Sequence, residues 1–424
     1  DQITINSSTA VPLNITTNNG ISTGQIQVQN FSNTNFAGFN WSGLWKITNI
    51  TQWGDIKWKS LRFLNAASNL TISATDYPNL TRCTDLSQCF EKLSQFNDSS
   101  IIGWDVGNVE NMSEMFSGSV TFNQPLNSWD VSNVTDMNGM FQKAQDFNQF
   151  LTNWDVSSVT DMGSMFEDAT NLSPSGLFKS DGVNTNLVTD MSKMFYGCIY
   201  FNVNLNHWNV SSVTDMSFMF ASTIRFTLPL SSWDVSSVTD MQAMFDQSKF
   251  NGDISNWDVG NVTNMQDMFN YNTRFNQDID SWDVTSVTNM RGMFRGGIFD
   301  QNINSWDPLL VQNMYQMFRQ SDFNQPIGNW DVSNVTNMSE MFLLSPFNQD
   351  ISNWNTGNVV SMSQMFYGTP FNQNIGSWDI SSVTNMSNMF GNTNGAGAVT
   401  LSVANYDALL IGWAAQTVQQ NVPF

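Results

Sequence analysis

The chain has 424 residues and sets 15 Lys+Arg against 36 Asp+Glu, a formal charge of −21, yet only 12% of its residues are charged. That balance argues against nucleic acid or an anionic membrane as partner, because both recruit clustered Lys and Arg to displace counterions; cations, proteins or neutral polymers such as glycans fit better. No run of about 18 apolar residues is present to span a bilayer as a helix, and a start at Asp1 without a basic or apolar leader is what a mature, secreted chain would show after signal-peptide removal.

Residues 1–52 carry short alternating apolar runs, QITIN, GQIQVQ and LWKITNI, which predict a β-rich N-terminal cap. Seven N-x-S/T triplets crowd the start of the chain, at Asn6, Asn14, Asn30, Asn40, Asn49, Asn69 and Asn79. They mark either N-glycosylation sites or a merely Asn/Thr-rich β segment.

From residue 53 to 391 the chain repeats itself. Met-Phe pairs end at Phe116, Phe141, Phe166, Phe195, Phe220, Phe245, Phe269, Phe294, Phe318, Phe342, Phe366 and Phe390, spaced by 24 or 25 residues with one spacing of 29. A tryptophan stands twelve positions before most of them, as Trp129 does before Phe141. With two worn units at Trp53 and Cys89-Phe90, about fourteen turns are expected. A period in this range means that no unit buries its own apolar face, so neighbours must stack. Within one unit, Leu126, Trp129 and Val131 follow the strand spacing of a leucine-rich repeat, while Val134, Met137, Met140 and Phe141 suit a short helix. The predicted fold is therefore an α/β solenoid, each turn a short strand, a short helix and a loop. Residues 392–424 close it, with VANYDALLIGWAAQ as a cap helix and Ser402 as its N-cap.

Three features invite a chemical reading. The residue after the tryptophan is acidic at Asp105, Asp130, Asp155, Asp234, Asp258, Asp283, Asp307, Asp331 and Asp379. Neighbouring carboxylates one turn apart repel by about 0.8 kcal/mol in water, and something must offset this. Ca²⁺ bound by a stripe of oxygens is one answer; hydrogen bonds from the following backbone, as in an Asx-turn, are the other. Cys83 and Cys89 are either core residues or a disulfide locking the early turns. The Asn of the Phe-Asn-Gln triplets, such as Asn148 and Asn348, predicts a buried amide ladder between turns. Catalysis lacks parts: His207 is the one histidine, and no phosphate loop, HExxH or paired CxxC is present.

The repeat FNQ-x-[IL]-x-x-WDVS-x-VT-x-M-x-x-MF, with the entry segment WGDIKWKSLRFLNAASNLTISATDYPNL and the closing segment NYDALLIGWAAQ, resembles the BspA-like leucine-rich-repeat surface proteins over roughly Trp53 to Gln416. The resemblance implies a non-enzymatic, extracellular or cell-surface protein. Two functions follow from it and from the two ends of the stack. One is a structural protein that associates head to tail with itself into a glycosylated filament or surface layer. The other is a monomeric adhesin that binds a protein or glycan through its strand face.

Overall fold

The computed structural model describes residues 5–6, 11–17, 24–29, 47–54, 57–62, 64, 69–174, 177–178, 183–391 and 401–424, with backbone alone before residue 49. Two compact units form: Asp1–Val203 with His207–Asn209, and Val210–Phe424 with Asn204–Asn206.

The first unit begins with strands β1 (Ile5–Asn6), β2 (Val11–Thr17), β3 (Gly24–Gln29), β4 (Ile47–Ile50) and β5 (Thr71–Ile72) in the sheet order β1-β3-β2-β4-β5. β2 runs antiparallel to β3 and β4, whereas β4 and β5 pair in parallel, with Ile50 opposite Ile72. That switch hands the chain from a meander to parallel stacking. Single parallel bridges then link successive turns, from Ser60↔Asp85 through Asp136↔Asp161 to Asp161↔Asp190 in the first unit, and from Asp215↔Asp240 to Ser361↔Asn385 in the second.

The elements within each turn differ from those the spacing predicts. Among the described residues, Leu126–Val131 is not a strand and Val134–Phe141 is not a helix. In their place the backbone donors alternate between two partners. Met137, Gly139, Phe141 and Lys143 donate to the carbonyls of Asp161, Gly163, Met165 and Glu167 one turn on, at 3.0, 2.8, 2.8 and 2.6 Å. Between them Met140, Gln142 and Ala144 donate three residues back, to Met137, Gly139 and Phe141, at 3.1, 3.0 and 3.0 Å. The first and third of these three β-turns contain a left-handed residue, Gly139 and Lys143, both at φ 59°. In the second unit Asp267 and Tyr271 hold the same places at φ 55° and 48°. A helix would spend each N–H four residues back. Here every second one belongs to the neighbouring turn.

Side chains fill the interior in columns. Met137, Met140, Phe141 and their counterparts in the described turns are buried. Phe116, Phe141 and Phe166 stack at 5.6 Å from ring to ring, and Phe141 lies 4.0 Å from Phe147 of its own turn. Each such ring contributes about 1.5–3 kcal/mol by burial, with about 0.5–1.5 more from an aromatic pair. The tryptophans tie turns together through their polar edge: Trp154 Nε1 donates to Leu126 O at 2.9 Å, and Trp282 Nε1 to Ile254 O at 3.1 Å. The amide ladder is half-buried to exposed rather than buried. In it, Asn148 N donates to Asn123 Oδ1 at 3.0 Å, and Gln149 Nε2 reaches Asn123 O at 3.0 Å.

Helix α1 (Val403–Ala414) covers the turn of Trp378. Ser402 Oγ accepts from Asn405 N at 3.3 Å. The helix imitates the turn that would come next. Trp413 Nε1 donates to Ile375 O at 3.3 Å, as a repeat tryptophan would, and Asn405 Nδ2 donates to Asn372 O at 2.8 Å, continuing the ladder. Gln416 accepts from Ile380 N at 2.8 Å and donates to Trp378 O at 2.7 Å, while Pro423 O accepts from Met386 N at 2.9 Å. Backbones meet closely here, for a methyl added at Gly412 would fall 1.9 Å from Gly376 O. Gly412→Ala thus opposes two effects: alanine favours the helix by about 1 kcal/mol, but the clash with a carbonyl costs about 1–3 kcal/mol. We expect net destabilisation in urea unfolding followed by Trp fluorescence; a stabilised variant would show that α1 does not dock this way.

Candidate functional site

The acidic column lies on the exposed edge of the turns, and its carboxylates are occupied by their own backbone. Asp130 Oδ1 accepts from Ser132 N at 3.1 Å and Ser132 Oγ at 2.7 Å; Asp234 does the same with Ser236 at 3.1 and 2.6 Å, and Asp283 with Thr285 at 3.0 and 2.6 Å. Asp155, Asp331 and Asp379 accept from Ser157, Ser333 and Ser381 at 3.0, 2.9 and 2.9 Å, and Asp105 and Asp258 from Gly107 and Gly260 at 3.3 and 3.1 Å. Asp307 is followed by Pro308 and makes no such bond among the described residues. Asn355 makes the bond without charge, to Gly357 N at 3.3 Å. Adjacent turns bring their carboxylates close, since a methyl at Gly107 would lie 3.5 Å from both Asp105 Oδ1 and Asp130 Oδ2.

The Ser and Thr hydroxyl bonds, with the backbone bonds beside them, hold the carboxyls of Asp130, Asp234 and Asp283 below the usual carboxylate range. At Asp379 the backbone bond from Ser381 leads. A carboxyl whose folded pKa is depressed stabilises the fold above the unfolded value of about 3.9, and that contribution is lost as pH falls through the folded value. Among the described residues no group of three or more His, Cys, Asp or Glu side chains is placed to hold a metal ion.

A second column escaped the reading of spacing. Asp85, Asn111, Asp136 and Asp161, with Asp240 and Asn289 in the second unit, are half-buried bridge residues, and each accepts from the backbone two residues on. Asp136 Oδ1, for example, accepts from Asn138 N at 2.9 Å. The signal was present for most of them as the Asp/Asn of a V-T-[DN]-M phrase, two residues before a backbone donor, with Asp85 in C-T-D-L and Asn111 in V-E-N-M. Beside this column in the first unit opens a shallow polar cleft of about 290 Å³, lined by Arg62, Gln88, Glu114, Asp136, Asn138 and Asp161 among others. Its acids are partly bound, because Arg62 donates to Gln88 and Gln88 donates to Glu114.

The cysteines are core residues. Cys83 and Cys89 are free and buried, so the disulfide alternative is not formed. Burial pushes the Cys83 thiol up to about 11 and the Cys89 and Cys198 thiols well above their ordinary value. Of the sequons, Asn6 and Asn14 fall on β1 and β2, and Asn30 and Asn40 lie outside the described residues. Asn49 Nδ2 donates to Ser73 Oγ at 2.8 Å, Asn79 Oδ1 accepts from Thr81 Oγ1 at 2.7 Å, and Asn69 is exposed.

Two outcomes follow. Asp283→Ala should cost about 1 kcal/mol in urea unfolding, and Asp283→Asn less than half of that, with a smaller loss of stability below about pH 4. Equal effects of the two changes, or melting that depends on Ca²⁺ and chelator, would make the charge rather than the turn decisive. In a glycosylating host, peptide mapping should find glycan at Asn69 in preference to Asn49, whose amide is engaged; the reverse order would overturn this ranking.

A family model described as "Mycoplasma protein of unknown function, DUF285" matches residues 60–177, 175–249, 230–322 and 295–401. No curated protein and no solved structure matches the chain. The overlapping matches run through the tandem repeats and cover well over half of the sequence, so the chain belongs to this DUF285 repeat family.

Proposed function

We propose that the protein is a non-enzymatic, extracellular or cell-surface structural protein whose turns wind as solenoids of the leucine-rich-repeat kind, related to the BspA-like surface proteins, and which associates with copies of itself end to end. The observation that carries this reading is the outer face of α1. Val403 is 77% exposed and Ile411 74%, with Leu410 beside them at 47%, while Leu409 and Trp413 face inward. An apolar group of this size at one end of a stack favours a partner over water. A second copy is the natural occupant, because a contact between unlike ends that does not close builds a fibre. The sheet order leaves β1 as an edge strand, which offers main-chain donors and acceptors to such a contact. Glycan at the early sequons fits the same location.

Sedimentation of the 424-residue chain tests the proposal. Concentration-dependent association should be weakened on the order of tenfold or more by Val403→Asp with Ile411→Asp. A wild-type chain that stays monomeric at the highest attainable concentration, or a double variant that associates as well as wild type, would end the filament reading. The monomeric adhesin is then the one left standing, favoured by the exposed Asp column as a surface for a cationic protein partner.

A further inference from the structure

The second unit keeps its positive charge in one place. Between residues 210 and 424 the Lys and Arg residues are Arg225, Lys249, Arg274, Arg291, Arg295 and Arg319, confined to five consecutive turns. Three of them take one position, directly before the second phenylalanine of their turns, Phe226, Phe250 and Phe275. Those rings stack at 5.9 and 6.5 Å, so Arg225, Lys249 and Arg274 stand in a row at the spacing of the turns, and all three are exposed. Lys249 and Arg274 have no ion pair among the described residues.

A row of like charges on a chain of net charge −21 calls for a counter-charge with the same step. Such a row exists on the same unit. Lys249 follows Asp234 by 15 residues and Arg274 follows Asp258 by 16, so the acidic column and the basic row occur once per turn at different places round it. The tryptophans carrying the column, Trp233, Trp257 and Trp282, stack at 6.4 and 6.5 Å, close to the spacing beneath the basic row. Two rows of opposite sign with one period match step for step.

We propose that the second unit carries a lateral docking surface for another copy of the chain, in which Lys249 and Arg274 of one copy lie along the acidic column around Asp258 and Asp283 of the other. The occupant is set by charge complementarity repeated at matching steps, which fixes register and rejects partners of another period. This contact is separate from the α1 face and survives its loss. At about 0.15 M salt the Debye length is about 8 Å, so the repulsion between two acidic chains is damped while contacts at salt-bridge distance persist.

The experiment uses the full chain carrying Val403→Asp and Ile411→Asp, which weaken the end contact. Sedimentation equilibrium at about 0.15 M salt compares this background with two sets of further changes. One set reverses the row (Lys249→Glu, Arg274→Glu). The other neutralises the column while keeping its turns (Asp258→Asn, Asp283→Asn), as Asn355 shows is compatible with the fold. The background should self-associate, and each set should weaken that association on the order of tenfold. A mixture of the two sets should recover pairing, since one retains the column and the other the row, and near-UV circular dichroism should be the same for all. A monomeric background, a set without effect, or a mixture that fails to pair would overturn the proposal.

Discussion

The turns of this protein hold together by giving away every second backbone donor of one short segment. Between Met137 and Lys143 each second N–H leaves its own turn for a carbonyl one period later, and those between close short turns three residues back. Buried backbone groups must be paired, and neither a lone helix nor a lone strand would pair them this way. A turn without neighbours would leave Met137, Gly139, Phe141 and Lys143 without acceptors, in addition to exposing Phe141 and Trp129. Stability therefore resides in contacts between turns, as in other stacked repeats. The same need explains why α1 imitates a turn instead of lying across the stack as a plain amphipathic helix: Trp413, Asn405 and Gln416 each meet a group that a further repeat would have met.

The columns of the interior were legible because burial follows period. Trp129, Val131, Met137, Met140 and Phe141 recur at fixed places, and all are buried. The secondary structure between them was misread for a definite reason. A chain of β-turns closed by bonds to the third residue back puts apolar side chains three apart, as at Val134, Met137 and Met140, and one turn of helix gives the same spacing. What separates the two is the left-handed residue of alternate β-turns, and only some of those places are glycine. Gly139 and Gly292 announce it, whereas Glu114, Lys143 and Ala243 adopt the same conformation with φ of 53°, 59° and 52° and give no compositional sign. Asx-turns, by contrast, could be read directly, because Asp before Ser, Thr or Gly carries its own acceptor two residues from the donor. The half-buried Asp/Asn column at the bridges carried that signal too.

A surface built by repetition also repeats its charges. The Asp column exists because each turn needs the same capped bend, and its length follows from the number of turns. Carboxylates that shape local backbone in this way still project a negative edge, with Asp130, Asp234 and Asp283 held ionised to lower pH than free carboxyls. Positive charge is not obliged to repeat, and within the second unit its confinement to five turns sets those turns apart from the rest of that unit. Function is thus sought where the repeat is broken or decorated: at the outward face of α1, along the basic row, and at the sequons before the first turns.

The pattern of N–H partners is the foundation of this account, and trans-hydrogen-bond scalar couplings measured by NMR on labelled protein report it directly. The account predicts couplings from the amides of Met137, Gly139 and Phe141 to the carbonyl carbons of Asp161, Gly163 and Met165. Couplings from those amides to carbonyls four residues back would mean a helix in every turn and would contradict it.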